Sequence, residues 1–177
     1  EMELIDGVIE NYNEEKDAIE SLIETKKAEA VLSASEEAYT EAIQNSNDAL
    51  QNYITTQGIY NENVSELASL EEEYNSLLGM TSEEYAKMNN LTVSETTASE
   101  MLANEQQNLA DQIDATKVAV GESHAAMDTA KNTYEDYQQT IANYEGLSSA
   151  IISGDSEKIS EAISRSEERF SRNAETD

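Results

Sequence analysis

The sequence predicts an all-α fold: an elongated antiparallel helical hairpin, or coiled coil, with a short connector helix and a short C-terminal helix. Three observations point there. The 177 residues contain no Pro, no Cys and no Trp, and only six Gly, too few punctuators for the many turns of a β-rich or α/β domain. From Leu102 to Ile151, alternate steps of four and three give fifteen positions of which eleven are apolar or aromatic (Leu102, Leu109, Ile113, Val120, Met127, Ala130, Tyr134, Tyr137, Ile141, Tyr144 and Ile151). A mean period of 3.5 keeps such a stripe turned toward a partner helix, and a second stripe of the same period upstream supplies the partner.

The chain reads in order as one elongated helical domain over 1–177. Residues 1–78 form a long helix. Its first part carries Ile5, Ile9, Tyr12, Lys16, Ile19 and Ile23 at heptad-like spacing. Continuing that phase lands on Lys26 and Ser33, whereas the next good seam needs Leu32 and Tyr39. This one-residue slip predicts a joint at 25–36, with a restart at Ser33 and Glu36, which have capping-box spacing. From Tyr39 the predicted seam is Tyr39, Ile43, Ser46, Leu50, Tyr53, Gln57, Tyr60, Val64, Leu67, Glu71, Tyr74 and Leu78, after which Gly79 occupies the place of a left-handed C-terminal cap.

Residues 79–93 form the connector. Thr81 and Glu84 have capping-box spacing before a short helix through Met88, and Thr92 with Glu95 repeats it before the long helix 94–152. Gly154 ends that helix, and Asp155 or Ser156 caps a short helix over 155–170 with Ile159, Ala162 and Ile163 on one side. After Arg165 the pattern decays into a frayed end. Folding the two long helices about the connector sets Tyr60 roughly opposite Ile113 and Tyr39 roughly opposite Tyr134. The segment before the joint then faces the end of the second long helix and the final helix. The seams are rich in Tyr, whose hydroxyl must reach solvent, and in Ala, which buries little area, so stability per turn is modest.

Charge narrows the function classes. Ten basic against 38 acidic residues leave a net charge of −28. Basic residues cluster only at Lys26-Lys27 and around Arg165, Arg169 and Arg172, so no basic stripe exists to displace counterions from a nucleic acid or an anionic membrane. The expectation is no nucleic-acid binding, and measurable DNA binding at physiological salt would contradict it. No apolar run approaches the ~20 residues of a membrane span, and no signal peptide opens the chain. Starting at Glu1 rather than Met suggests a fragment of a larger protein.

No catalytic, cofactor-binding or metal site is predicted, and the chain reads as a non-enzyme. His124, the single histidine, sits next to Ser123 with no third group to orient it and no oxyanion hole, so a solvated flanking residue is the expected role. Glu71-Glu72-Glu73 and Glu14-Glu15 lack the paired Glu-x-x-His of a di-iron bundle, and Asp155 to Glu157 lacks the alternating ligands of a calcium loop. The tyrosines follow the seam spacing too strictly to be a stacking platform. Neither a Walker pattern nor a Gly-rich phosphate loop is present.

The string at 143–163, Asn-Tyr-Glu-Gly-Leu-Ser-Ser-Ala-Ile-Ile-Ser-Gly-Asp-Ser-Glu-Lys-Ile-Ser-Glu-Ala-Ile, resembles a recurrent segment of tail tape measure proteins of long-tailed phages and prophages of Gram-positive bacteria. Lys26-Lys27-Ala28-Glu29-Ala30 and Glu37-Ala38-Tyr39-Thr40-Glu41-Ala42 resemble the upstream part of the same region, whereas the ending after Ser164 departs from it. The resemblance implies a virion structural protein of the phage tail, assembled in the host cytoplasm. Its length sets tail length, and it leaves ahead of the genome on infection. The implied partners are the tail tube protein, tail assembly chaperones and tail-tip proteins. No cofactor and no site residue is implied. Two other readings stay open: a helical adaptor or chaperone-like interaction module using Met80, Met88, Leu91 and Val93 in the connector, and an extracellular coiled-coil stalk. Polar seam positions such as Gln57, Glu71 and Gln106 leave self-association open as well.

Overall fold

A computed structural model of the chain describes residues 2–174, with side chains described for 9–166. It contains four helices: α1 (Met2–Leu78), α2 (Ser82–Met88), α3 (Glu95–Ser153) and α4 (Ser156–Ala174). The long helix α1 packs against α3 as the two arms of a hairpin. Contacts divide the chain into two units, one made of Glu1–Asn47 with Tyr134–Asp177 and the other of Asp48–Thr133.

The α3 seam lies where its periodicity sets it. All fifteen predicted positions from Leu102 to Ile151 are buried or half-buried. The α1 seam is half right. Tyr39, Ser46, Tyr53, Tyr60, Leu67 and Tyr74 face inward as expected, but their companions are Ala42, Ala49, Thr56, Asn63, Leu70 and Leu77, each one residue before the predicted position. Ile43 and Leu78 are 46% and 55% exposed. The chosen phase buries Leu70 and leaves Glu71 in water. Burying a leucine gains about 1.5–3 kcal/mol, whereas burying an unpaired carboxylate costs several. It also sets Ala42 and Ala49 between the tyrosines, and a small residue leaves room for a broad ring from the facing helix.

In this phase the steps of four and three run from Ser21 through Thr25, Ala28, Leu32, Ser35 and Tyr39 to Leu77 without a slip. The joint expected at 25–36 is accordingly absent, and α1 is unbroken there. The apparent slip arose because the apolar heptad of residues 5–23 is not part of the packed seam. Ile9, Tyr12, Ile19, Leu22 and Ile23 are all exposed, as is every residue from 9 to 20.

In the first unit, α4 turns back beside α3 and α1. Ala28, Leu147, Ala150, Ile159, Ala162 and Ile163 form its core, with Val31, Leu32 and Ile151 packed around them. Gly154, at φ +66°, makes the turn, and the Asp155 carboxylate accepts from the backbone N–H groups of Glu157 and Lys158 at 3.2 and 3.3 Å as the N-cap of α4. Those bonds, chiefly from Lys158, hold its carboxyl below the usual carboxylate range. The helix continues through Ala174, past the fraying expected after Arg165, and the side chains beyond Ser166 lie outside the described residues. Tyr39 stacks on Tyr144 with ring centroids 4.0 Å apart, so it does not oppose Tyr134.

In the second unit the pairing is displaced in the same sense: Tyr60 meets His124, not Ile113, and the Gln106 amide donates to the Leu77 carbonyl at 2.8 Å. The connector explains the displacement of about ten residues. It does not turn symmetrically. The first turns of α3 run on past the end of α1 and are covered by α2 instead, with Leu77, Tyr85, Leu102 and Leu109 as the shared core. Thr81 and Glu84 form the expected capping box, and Thr81 holds the Glu84 carboxyl below its ordinary range through its backbone N–H and then its hydroxyl. The cap of α3 is Ser94, whose hydroxyl accepts from Thr97 N–H at 3.2 Å, in place of Thr92. Gly79 keeps a negative φ, and the left-handed position of the connector belongs to Asn90 (φ 53°). There Asn90 N–H donates to the Lys87 carbonyl and Leu91 N–H to the Ala86 carbonyl, a Schellman closure of α2.

Candidate functional site

The Ser123 and His124 side chains lie where α3 meets α1. Ser123 is buried, and its hydroxyl donates to the Ala119 carbonyl at 2.7 Å while accepting from the Asn63 amide at 3.1 Å. Asn63 also reaches the Ala119 carbonyl at 3.3 Å. His124, one residue on, turns the other way. Its Nδ1 lies 3.2 Å from Asp128, and its ring meets Tyr60 edge-on at 5.3 Å between centroids. The serine proton is committed to a backbone carbonyl and the imidazole to a carboxylate on its own helix. Tyr60 and Asn63 of α1 with Ser123 and His124 of α3 build a polar layer that ties the two helices together at one level of the seam.

Tyr85 is the most enclosed phenol. It projects from α2 under the connector, and its hydroxyl donates to the Glu105 carboxylate of α3. That bond, with burial, pushes its pKa up. An open groove passes beside it, lined by Leu70, Glu73, Met101, Glu105 and Leu109. The Tyr39 phenol is also raised, first by desolvation under the stack and then by the charge of Glu145.

Of the connector residues singled out for partner binding, Met80 and Leu91 pack against the core beneath α2, while Met88 and Val93 stay exposed. Leu78 and Met101 join those two on the surface of the same unit. The carboxylate runs stand in solvent: Glu71 approaches Lys117 across the helix pair at 3.7 Å, and Glu14 and Glu15 are fully outside any cover. Among the described residues, no three His, Asp or Glu side chains converge in a way that holds a metal ion, and no helix is long and apolar enough to cross a membrane. Sequence reasoning missed the exposed apolar face of α1 around Ile19. Its signal was legible as the slip at 25–36, which marks where one stripe hands over to another. No family model matches the chain, and no curated protein or solved structure is significantly similar to it.

Proposed function

We propose that the chain is a structural coiled-coil segment of a phage tail tape measure protein, one that contributes length to the ruler that sets tail length during assembly. The observation that carries this reading is the seam of α1, which keeps a 3.5-residue period from Ala28 to Leu77 and fills it mostly with Tyr, Ser and Ala. Such a seam produces length with little burial per turn, and the string at 143–163 links it to the tape measure family. The tail tube, the assembly chaperones and the tail tip are then the partners, met in the host cytoplasm and in the virion tail. The test is an in-frame deletion of Tyr39 to Leu78 in the parent gene, with tail length measured by electron microscopy. A ruler that runs extended loses about 60 Å at ~1.5 Å per residue. Normally assembled tails of unchanged length would overturn it.

A second reading, an interaction module gripping a partner through the connector, is favoured by the exposure of Leu78, Met88, Val93 and Met101. It requires that substituting Met88 and Val93 by Ser abolish binding of a purified partner while helix content is retained.

A further inference from the structure

The contacts between α1 and α3 do not require that both helices belong to one chain. Tyr39 stacks on Tyr144 in one unit, while in the other Tyr60 meets His124, Asn63 donates to Ser123 and Gln106 donates to the Leu77 carbonyl. All are pairs between antiparallel helices, so α1 of one chain laid on α3 of a second copy re-forms each of them, with α4 remaining beside its own α3. What distinguishes the two arrangements is the path of residues 79–94.

That path is compatible with a straight helix. The chain has no proline, and residues 79–94 contain one glycine. The turn rests on the capping box of Thr81 with Glu84, the Ser94 cap and the Tyr85 hydroxyl bonded to Glu105. It also holds Asn90 at φ 53°, a backbone conformation that a residue with a Cβ adopts only at a cost. With seven residues, α2 is too short to persist as a helix away from its docked face. In a straight helix, at about 100° per residue, Met88 and Leu102 fall within about 20° of the face of Leu77, and Leu91 within about 40°. The core stripes of α1 and α3 then join through Met88 and Leu91, with Glu84 and Glu95 as the polar members of the join. Met88, 52% exposed in the hairpin, turns toward the second chain.

We propose that two copies of the chain exchange arms: residues 79–94 straighten into a helix continuous with α1 and α3, and α1 of each chain packs on α3 of the other. The exchange gives up the docking of α2 and its caps, releases Asn90 and covers Met88. Every other contact between the arms is kept, so chain concentration decides between hairpin and exchanged dimer.

The test is to unfold the chain in urea and refold it over a range of concentrations reaching about 1 mM, the order of effective concentration that a short linker gives two joined arms. Mass is read by light scattering after gel filtration. The expected result is a monomer when refolded dilute and a growing share of dimer as concentration rises. Ser82→Pro separates the two forms. Position 82 opens α2, where proline is tolerated, and Thr81 before it is already extended at φ −82° and ψ 160°. The same proline lies in the interior of the straightened helix and should lower the dimer by about tenfold or more. Glu84→Leu removes a partner of the capping box and places a leucine on the joined stripe, so it should raise the dimer. Exchange itself is read by refolding a Tyr39→Cys chain together with a Tyr144→Cys chain and adding a short bismaleimide, which should link two chains. A monomer at every concentration, a dimer undiminished by Ser82→Pro, or a dimer in which the two cysteines do not cross-link would overturn the proposal.

Discussion

Leu147 and Ile159 are the only large side chains, among those described, sealed from solvent almost completely, and both belong to the core where α1, α3 and α4 meet. Along the stretch where only α1 and α3 pair, a large seam side chain such as Leu67 is bounded by one facing helix and keeps an edge in water. Truncating Leu147 to Ala should therefore cost about 2–5 kcal/mol, the range for a well-enclosed leucine. The equivalent change at half-buried Leu67 should cost visibly less. Chemical denaturation of both variants followed by circular dichroism would check the order, and equal losses would contradict it. At this scale, residue identity was a good guide wherever a side chain had one evident use: Ile159, Ala162 and Ile163 were placed on one side of their helix by their spacing and are buried together. It failed at Ile43 and Val64, which look like core residues and are exposed because Ala42 and Asn63 beside them turn inward.

Helices and their caps were legible unevenly. The capping box at Thr81 and the left-handed glycine at 154 follow from local chemistry, and both are present. The pairing register does not follow from local chemistry, because it depends on how much of α3 the connector covers. Tyr85 docked against Glu105 occupies the first turns of α3, and α1 meets α3 only beyond them. The absence of cysteine makes this register directly testable. In a Tyr39→Cys/Tyr144→Cys variant a short bismaleimide should cross-link the two arms of one chain at high yield, because the replaced rings stack. Tyr39→Cys/Tyr134→Cys should not cross-link, being displaced by about ten residues along α3, about 15 Å of helix. The opposite outcome, read by the shift of the monomer band on a denaturing gel, would restore the symmetric hairpin.

For the molecule as a whole, charge exerts the largest influence that single contacts do not show. A formal charge of −28 repels itself along both arms, and ion pairs such as Lys16–Glu20 and Lys87–Glu83 are exposed and contribute little. Raising salt from about 0.01 M to about 1 M shortens the screening length from about 30 Å to about 3 Å. The melting temperature should rise over that range. A fall would mean that the exposed pairs outweigh the repulsion. Fold class was plain from composition and period, because few turns and a sustained stripe leave no competing architecture. Function was not, since neither acidity nor a thin seam specifies a partner.

The unbroken beat of the α1 seam also bears on how such a chain changes over generations. Most levels of the seam hold an interchangeable pair, an aromatic or Leu with something small. Excising seven residues from each arm at the same level therefore joins like to like, removes about 10 Å from both helices and disturbs no cap. Excising five or six rotates everything beyond the cut and presents the acidic side to the partner helix. The Asn63–Ser123 layer and the Tyr39–Tyr144 stack are levels with no duplicate among the described residues, and each opposes a slide of one arm past the other by a heptad. Length in this chain is thus an inheritable quantity that comes in steps, with fixed marks from which the steps are counted.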